Sequence, residues 1–232
     1  MSSIYLIRHG QASFGSENYD QLSDLGELQA TRLGQVLSQR LPLFDAVVMG
    51  SLHRHRQTAE KCLAEFAQNT DQPDLEIDSG WNEYDHQNVL AQLRPELATA
   101  ASTNEFLRQF DKPQVMLEKV FVEAMDRWMN NEDDSSYTEP WSAFSERVQA
   151  ALQKTLSKPA KNIAVFTSGG PISLVAQSLL GVPYAKIMDM NWTLMNCGVT
   201  KLVATSSRVF VSSLNEHTHF EGLENKHFIT YS

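Results

Sequence analysis

At 232 residues, 42% of them hydrophobic and 20% charged, the chain has the make-up of a folded protein and lies far from the sparse, highly charged composition of disorder. A formal net charge of -9 argues against nucleic acid or an anionic membrane surface as the main partner, because phosphate backbones and headgroups need a basic face. The length favours one large α/β domain, residues 1-232, over two small ones, and the two cysteines, Cys62 and Cys197, lie too far apart for a zinc motif or a disulfide framework. No leader-like segment is read at residues 1 to 20 and no window approaches the roughly 18 apolar residues of a membrane span, so a cytoplasmic protein is expected.

The chain begins with Ile4-Tyr5-Leu6-Ile7, a short run of β-type residues that predicts a central strand, followed at once by Arg8-His9-Gly10. Open α/β folds place ligands at the carboxyl ends of their strands, so Arg8 and His9 are expected to be presented there and not packed. A polar loop follows from Gln11 to Gln21. Ser23 with Glu27 resembles a helix start, and apolar residues at helical spacing predict a helix from Leu25 to Arg40, ending at the Leu41-Pro42 break.

Ala46-Val47-Val48-Met49 predicts a second strand, which runs through Gly50-Ser51-Leu52 into a helix reaching towards Phe66. Its first turn holds His53, Arg54, His55 and Arg56, although a helix start carries partial positive charge and favours acids. Cations there want an anion. Arg56 reads as a solvated side chain, whereas Arg54 shares the sheet edge with Arg8 and reads as functional. Leu75 to Asp78 alternates as a half-exposed edge strand would, and the loop behind it carries Glu83, Asp85 and His86.

From Asn88 to about Asn130 the pattern is helical, bounded by Pro95 and Pro113, with Phe121, Met125, Trp128 and Met129 on a core-facing stripe. The acidic stretch Asn130 to Tyr137 reads as an exposed loop, and residues of about 86-137 as a helical insertion capping the site. A helix from Trp141 to Leu156 and a buried strand Ile163 to Phe166 come next. Thr167-Ser168-Gly169-Gly170-Pro171 then opens a helix to Leu180, with Pro171 expected at the first helical position and the glycines leaving amides open to an anion. Gly198 to Thr205 and Val209 to Leu214 predict a hairpin, and the tail to Phe220 ends the expected fold. The sum is an α/β protein, a three-layer α/β/α arrangement on a mostly parallel central sheet.

Three of these strand ends together resemble the histidine phosphatase superfamily, also called phosphoglycerate mutase-like. Arg8-His9-Gly10 is similar to its hallmark, Leu22-Ser23-Asp24-Leu25-Gly26 with Gln29-Ala30 to the helix start that follows, and Leu52-His53-Arg54 with Gln57-Thr58-Ala59 to its Ser-Pro-Leu-x-Arg-Ala-x-Gln-Thr-Ala segment. Glu83 falls where the family places an acid. The resemblance implies that His9 attacks a phosphoryl group, that Arg8 and Arg54 hold its oxygens, and that Glu83 protonates the leaving oxygen and later takes a proton from water. Such transfer is mostly positioning and charge stabilisation, so no metal and no cofactor are expected. Planar guanidinium groups match phosphoryl oxygens two at a time, and a neutral imidazole is a competent nucleophile near pH 7.

The resemblance departs at Ser168, where the family usually has a second histidine; Ser168 and Gly169 then remain as phosphate-binding positions. Gly50, Ser51 and His55 depart as well. His55, His217 or His219 is a candidate to return a cationic donor, the other reading being a surface or core-edge residue. Ser168→His is expected to raise turnover by restoring that donor. The expected partner is a small phosphorylated substrate or a phosphoprotein, and oligomeric state is not legible. Two further outcomes share the motifs: a regulatory phosphate binder without useful turnover, and a mutase. Ser168, Asp189 and His217 also follow the Ser-Asp-His order of α/β-hydrolases, but Phe166 stands where the elbow signature needs glycine.

Overall fold

In the computed structural model, which describes residues 1-13, 20-66, 73-130 and 136-231, six strands form one sheet in the order β3-β2-β4-β1-β5-β6. They are β1 (Ser2–Arg8), β2 (Ala46–Met49), β3 (Leu75–Ile77), β4 (Asn162–Thr167), β5 (Val199–Ala204) and β6 (Val209–Glu216). Parallel pairing joins β1 to β4, β4 to β2 and β2 to β3, while β5 and β6 are antiparallel additions on the other side of β1. Residues of the central strands alternate between two buried clusters, as the period of two in a strand requires. Ile4, Leu6, Ile163 and Val165 face one side, and Tyr5, Ile7, Ala164 and Phe166 the other.

Helices α1 (Asp24–Arg40) and α2 (His53–Ala64) cover the Tyr5 face. The Ile4 face is covered by α3 (His86–Leu93), α4 (Ala100–Leu107), α5 (Pro113–Asn130), α6 (Trp141–Leu156), α7 (Gly169–Leu180) and α8 (Ile187–Thr193). This is the three-layer α/β fold with a mostly parallel sheet. No helix among the described residues is long and apolar enough to cross a membrane. The expected loops at Gln11 to Gln21 and Asn130 to Tyr137 lie partly outside the described residues.

The elements differ from the sequence pattern in four places. The helical stretch after His86 breaks once more, at Thr99, whose side chain accepts from Ser102 N and starts α4. Pro171 is the third residue of α7, not the first, because Gly169 and Gly170 already have helical backbone behind the N-cap Ser168. The seven-residue α8 was not expected; it forms because Ile187 and Met188 are buried beneath it, a helix that short having too few hydrogen bonds to stand alone. Nor does the fold end at Phe220. The tail returns to the sheet, where Thr230 O accepts from Asn196 N (3.0 Å) and Gln29 Nε2 donates to Phe228 O (2.7 Å).

Candidate active site

Because β4 lies between β1 and β2, the carboxyl ends of these strands adjoin. His9 N donates to Thr167 O (2.9 Å), and Gly50 N to Phe166 O (3.0 Å), so the three junctions read from sequence are stitched to each other by backbone bonds. His9, Gly50 and Ser168 therefore surround one point. His9 is not simply presented as expected: it is only 5% exposed, with Arg54 of α2 against its ring and the chain at Asn196 and Cys197 against its carbonyl. Its carbonyl accepts from Asn196 Nδ2 (3.1 Å), and Thr58 Oγ1 accepts from the next amide, Gly10 N (3.1 Å).

The ring of His9 is polarised by its two neighbours. Nδ1 lies 2.7 Å from Gly10 O, which can only accept, so Nδ1 carries the proton. Arg54 Nε donates to Nε2 at 3.2 Å, which places the lone pair on Nε2. Burial first, then the positive charges of Arg54 and Arg8, hold the His9 pKa well below its ordinary value. The imidazole is thus neutral near pH 7, with Nε2 turned towards a guanidinium.

Arg54 is itself fixed from the far side. Asp20 Oδ1 lies 2.8 Å from Arg54 Nη1, and Asp20 Oδ2 accepts from His53 N at 2.8 Å. The anion that the cationic start of α2 calls for is, in part, this carboxylate. Sequence inspection missed it, since nothing in the polar loop marks one acid among its neighbours. Arg56 does lie at the surface, 3.8 Å from Glu60 one turn on. Arg8 Nη1 donates to Leu194 O and to Tyr231 O (3.1 Å), which ties the guanidinium to the returning tail.

Glu83 reaches the same pocket from the loop after β3. Its Oε2 accepts from Gly170 N (3.2 Å) and its Oε1 from Tyr84 N (3.3 Å). Burial raises its pKa, although Gly170 N–H and the charges of Arg54 and Arg8 pull the other way. A carboxyl shifted upward is what a proton donor near neutrality needs. Gly170 makes the approach possible: a Cβ there would lie 2.1 Å from Glu83 Oε1.

The Glu83 loop is held rigidly. Trp81 is fully buried and its carbonyl accepts from Thr167 Oγ1 (2.6 Å), while Tyr84 packs on Trp128 and Phe144. Each such aromatic contributes about 1.5–3 kcal/mol by burial. Arg147 of α6 completes the clamp, donating to Gly80 O (3.1 Å), Asn82 O (2.8 Å) and Glu83 O (3.4 Å) while pairing with both oxygens of Glu139. On a helix wheel Arg147 is one more polar residue, so its role is visible only in three dimensions. Of the other ionisable groups of this loop, Asp85 caps α3, whereas His86, the first residue of that helix, has its pKa lowered mainly by burial and also by the charge of Arg54.

Ser168 is fully buried, and its Oγ lies 2.7 Å from Nε2 of His55. Of the three candidate histidines, His55 comes to the pocket. His217 Nδ1 instead lies 2.7 Å from Asn215 O, and His219 packs against Phe220 on the α1 side of the sheet. His55 returns a ring but not a charge, since burial and Arg54 keep its pKa well below the ordinary value. The expectation for Ser168→His is revised accordingly, because His55 already fills the space beside Ser168 that a new imidazole would need. Gly169 packs on Asn191, whose Oδ1 would lie 2.5 Å from a Cβ there, and Asn191 Oδ1 accepts from Ser173 Oγ (3.2 Å). The hydrolase order is not assembled: Asp189 pairs with Lys186 (2.7 Å), away from Ser168 and His217. Among the described residues no group of three or more His, Cys, Asp or Glu is placed to hold a metal ion.

A model of the histidine phosphatase superfamily (branch 1) matches residues 4–115 and 109–217, and the chain belongs to that superfamily. Comparison with curated protein sequences gives no match. Among solved structures, a phosphoserine phosphatase mutant from Entamoeba histolytica in complex with phosphoserine is similar at 17% identity, covering 95% of this chain and 100% of that one with a TM-score of 0.63. A phosphoglycerate mutase from Bacillus anthracis is similar at 20% identity, covering 94% of each chain with a TM-score of 0.62. An alpha-ribazole phosphatase from Shigella flexneri is similar at 19% identity, covering 92% of this chain and 96% of that one with a TM-score of 0.59. At these identities the likeness is one of fold, and it extends over nearly the whole chain.

Proposed function

We propose that the chain is a phosphatase that hydrolyses a phosphomonoester through a phosphohistidine on His9. The observation that carries this reading is the polarisation of the His9 ring, with its proton committed to Gly10 O and its lone pair on the nitrogen that faces Arg54. When a phosphoryl group enters, the Arg54 N–H turns from the ring to a phosphoryl oxygen and frees Nε2 for attack. The Nε2–P bond forms as the ester P–O bond breaks, and Glu83 gives its proton to the leaving oxygen. Water then attacks phosphorus, its proton passes to Glu83, and the N–P bond breaks to return neutral His9. Arg8 and Arg54, with amides at the start of α7, carry the charge that accumulates on the equatorial oxygens, so the scheme calls on no metal or cofactor.

The substrate class we propose is a small phosphorylated molecule or a phosphoprotein, admitted beneath α3 to α5. A cytoplasmic setting fits Cys62 and Cys197, which are buried free thiols whose pKa values burial raises. The test is phosphate release from a panel of phosphorylated metabolites and phosphopeptides by wild type and His9→Ala. Release by wild type that His9→Ala abolishes is the expected result; equal release by both refutes the reading. Transfer to a substrate hydroxyl in place of water would make the enzyme a mutase, and phosphate binding without turnover a regulatory binder.

A further inference from the structure

Gly50, His55 and Ser168 depart from the family pattern one by one in the sequence, and they meet at one place in the fold. The His55 ring is completely buried, its Nε2 lies 2.7 Å from Ser168 Oγ, and its centroid lies 5.8 Å from that of His9. A Cβ at Gly50 would lie 2.2 Å from His55 Nδ1. The absent side chain at 50 and the small one at 168 are therefore what let the ring stand here. Three apparent losses are one rearrangement, in which an imidazole reaches the pocket from α2 in place of one from the end of β4.

Resting on the phosphohistidine reading above, we propose that His55 is a positioning residue that acts through Ser168, orienting its hydroxyl to donate to the phosphoryl group transferred to His9. Hydrogen-bond accounting favours this arrangement. Nδ1 of His55 is buried and has no hydrogen-bond partner among the described residues. A proton on Nδ1 would leave an orphan buried N–H, the rarer and costlier kind of unsatisfied group, whereas a proton on Nε2 leaves only an orphan lone pair. The Nε2–H tautomer donates to Ser168 Oγ and leaves the serine hydrogen for another acceptor. Ser168 directly follows β4, next to the Thr167 carbonyl that binds His9 N–H, so that acceptor is an oxygen on the phosphorus that His9 attacks. A hydroxyl that accepts a bond while donating one is a stronger donor than one that does not. Burial keeps the ring neutral in the free protein, so the neutral tautomer is the state in which substrate meets it.

The experiment compares wild type, Ser168→Ala, His55→Ala, His55→Gln, the Ser168→Ala/His55→Ala double variant and the transposed variant His55→Ala/Ser168→His. For each, kcat and KM on p-nitrophenyl phosphate, the Kd for orthovanadate and the thermal midpoint are measured. Each single alanine variant is expected to lose about 100-fold in kcat, as loss of one preorganised donor does, with KM moved less than about threefold. The double variant falls no further than the worse single one, since the two residues act as a unit. His55→Gln, which can donate from nearly the same place, and the transposed variant each recover about tenfold over His55→Ala.

Losses that multiply in the double variant, unchanged turnover in His55→Ala, or a loss confined to KM and thermal midpoint that glutamine does not rescue would overturn the proposal. If wild type binds orthovanadate without forming a phosphoenzyme, the phosphohistidine reading fails alone, and the same cycle is read in Kd: shared loss supports the pair, independent loss overturns it. Absence of both turnover and vanadate binding overturns both.

Discussion

Replacing Gly170 with alanine puts a methyl group 2.1 Å from Glu83 Oε1 and 2.9 Å from two ring atoms of Tyr84. The ring cannot yield, because Trp128 and Phe144 pack against it, so the carboxyl must retreat by about 1 Å and stretch its bond to Gly170 N. Alanine is favoured over glycine in a helix by up to about 1 kcal/mol, while a hydrogen bond to a carboxylate is worth about 1.5–3 kcal/mol. The balance is a loss on the order of 1 kcal/mol, small against the 5–15 kcal/mol typical of a domain, so Gly170→Ala stays folded. Turnover responds far more, since a misplacement of about 1 Å in a reacting group can cost about 100-fold. The assay follows the phosphorylation step alone, in single turnover, and compares an alkyl phosphate, whose alkoxide needs a proton to leave, with p-nitrophenyl phosphate, whose phenolate does not; hydrolysis of the phosphohistidine, in which Glu83 serves both esters alike, is thereby kept out of the comparison. The expected result is a loss of about 100-fold on the alkyl ester and of a fewfold on the aryl ester, with the same pattern for Glu83→Gln. Equal losses on both esters, or none, would refute the assignment of Glu83 as proton donor and of Gly170 as the space that seats it.

Glu83 also ties stability to pH. Its raised pKa means that stability is fully present below the carboxyl's unfolded value and is lost as pH rises through the raised one, so Glu83→Gln should gain in thermal midpoint at pH 8 and not at pH 4; a gain at both would contradict the shift. His219 has the opposite sign, its pKa being lowered to about 4 mainly by burial, so stability falls as pH drops below the ordinary histidine range. Denaturant titrations should show His219→Asn flattening the wild-type decline between pH 6.5 and 4 by about 3 kcal/mol, whereas an unchanged slope would count against a buried neutral ring. Asp20→Asn removes a carboxylate bound to Arg54 and is expected to tighten inorganic phosphate about fivefold at low salt, on the order of 1 kcal/mol of relieved repulsion, while lowering kcat. Weaker phosphate binding in calorimetry would show that Asp20 orients Arg54 more than it competes with the anion.

What was legible in the sequence is what local pattern controls. Ala46 to Met49 and Trp141 to Leu156 appear as read, because strand and helix periods are set by alternating burial within one segment. The three strand ends that carry His9, Arg54 and Ser168 were also placed correctly at one sheet edge, since a motif after an apolar run fixes where its residues lie. What joins distant segments was not legible. Asp20 on Arg54, Arg147 under the Glu83 loop, and the tail carbonyl of Tyr231 on Arg8 are bonds between residues with no common period. His55 is the instructive case. Its motif position reads as a departure, and only the 2.7 Å bond to Ser168 and the empty side of Gly50 show that the departures belong together.

The most direct measurement is the chemical state of His9 during turnover. Wild-type protein mixed with a phosphomonoester carrying labelled phosphate, then quenched rapidly and digested, is expected to hold acid-labile, base-stable label on the peptide containing His9. His9→Ala should hold none. Steady hydrolysis without label at His9, or label and turnover that survive in His9→Ala, would contradict the account.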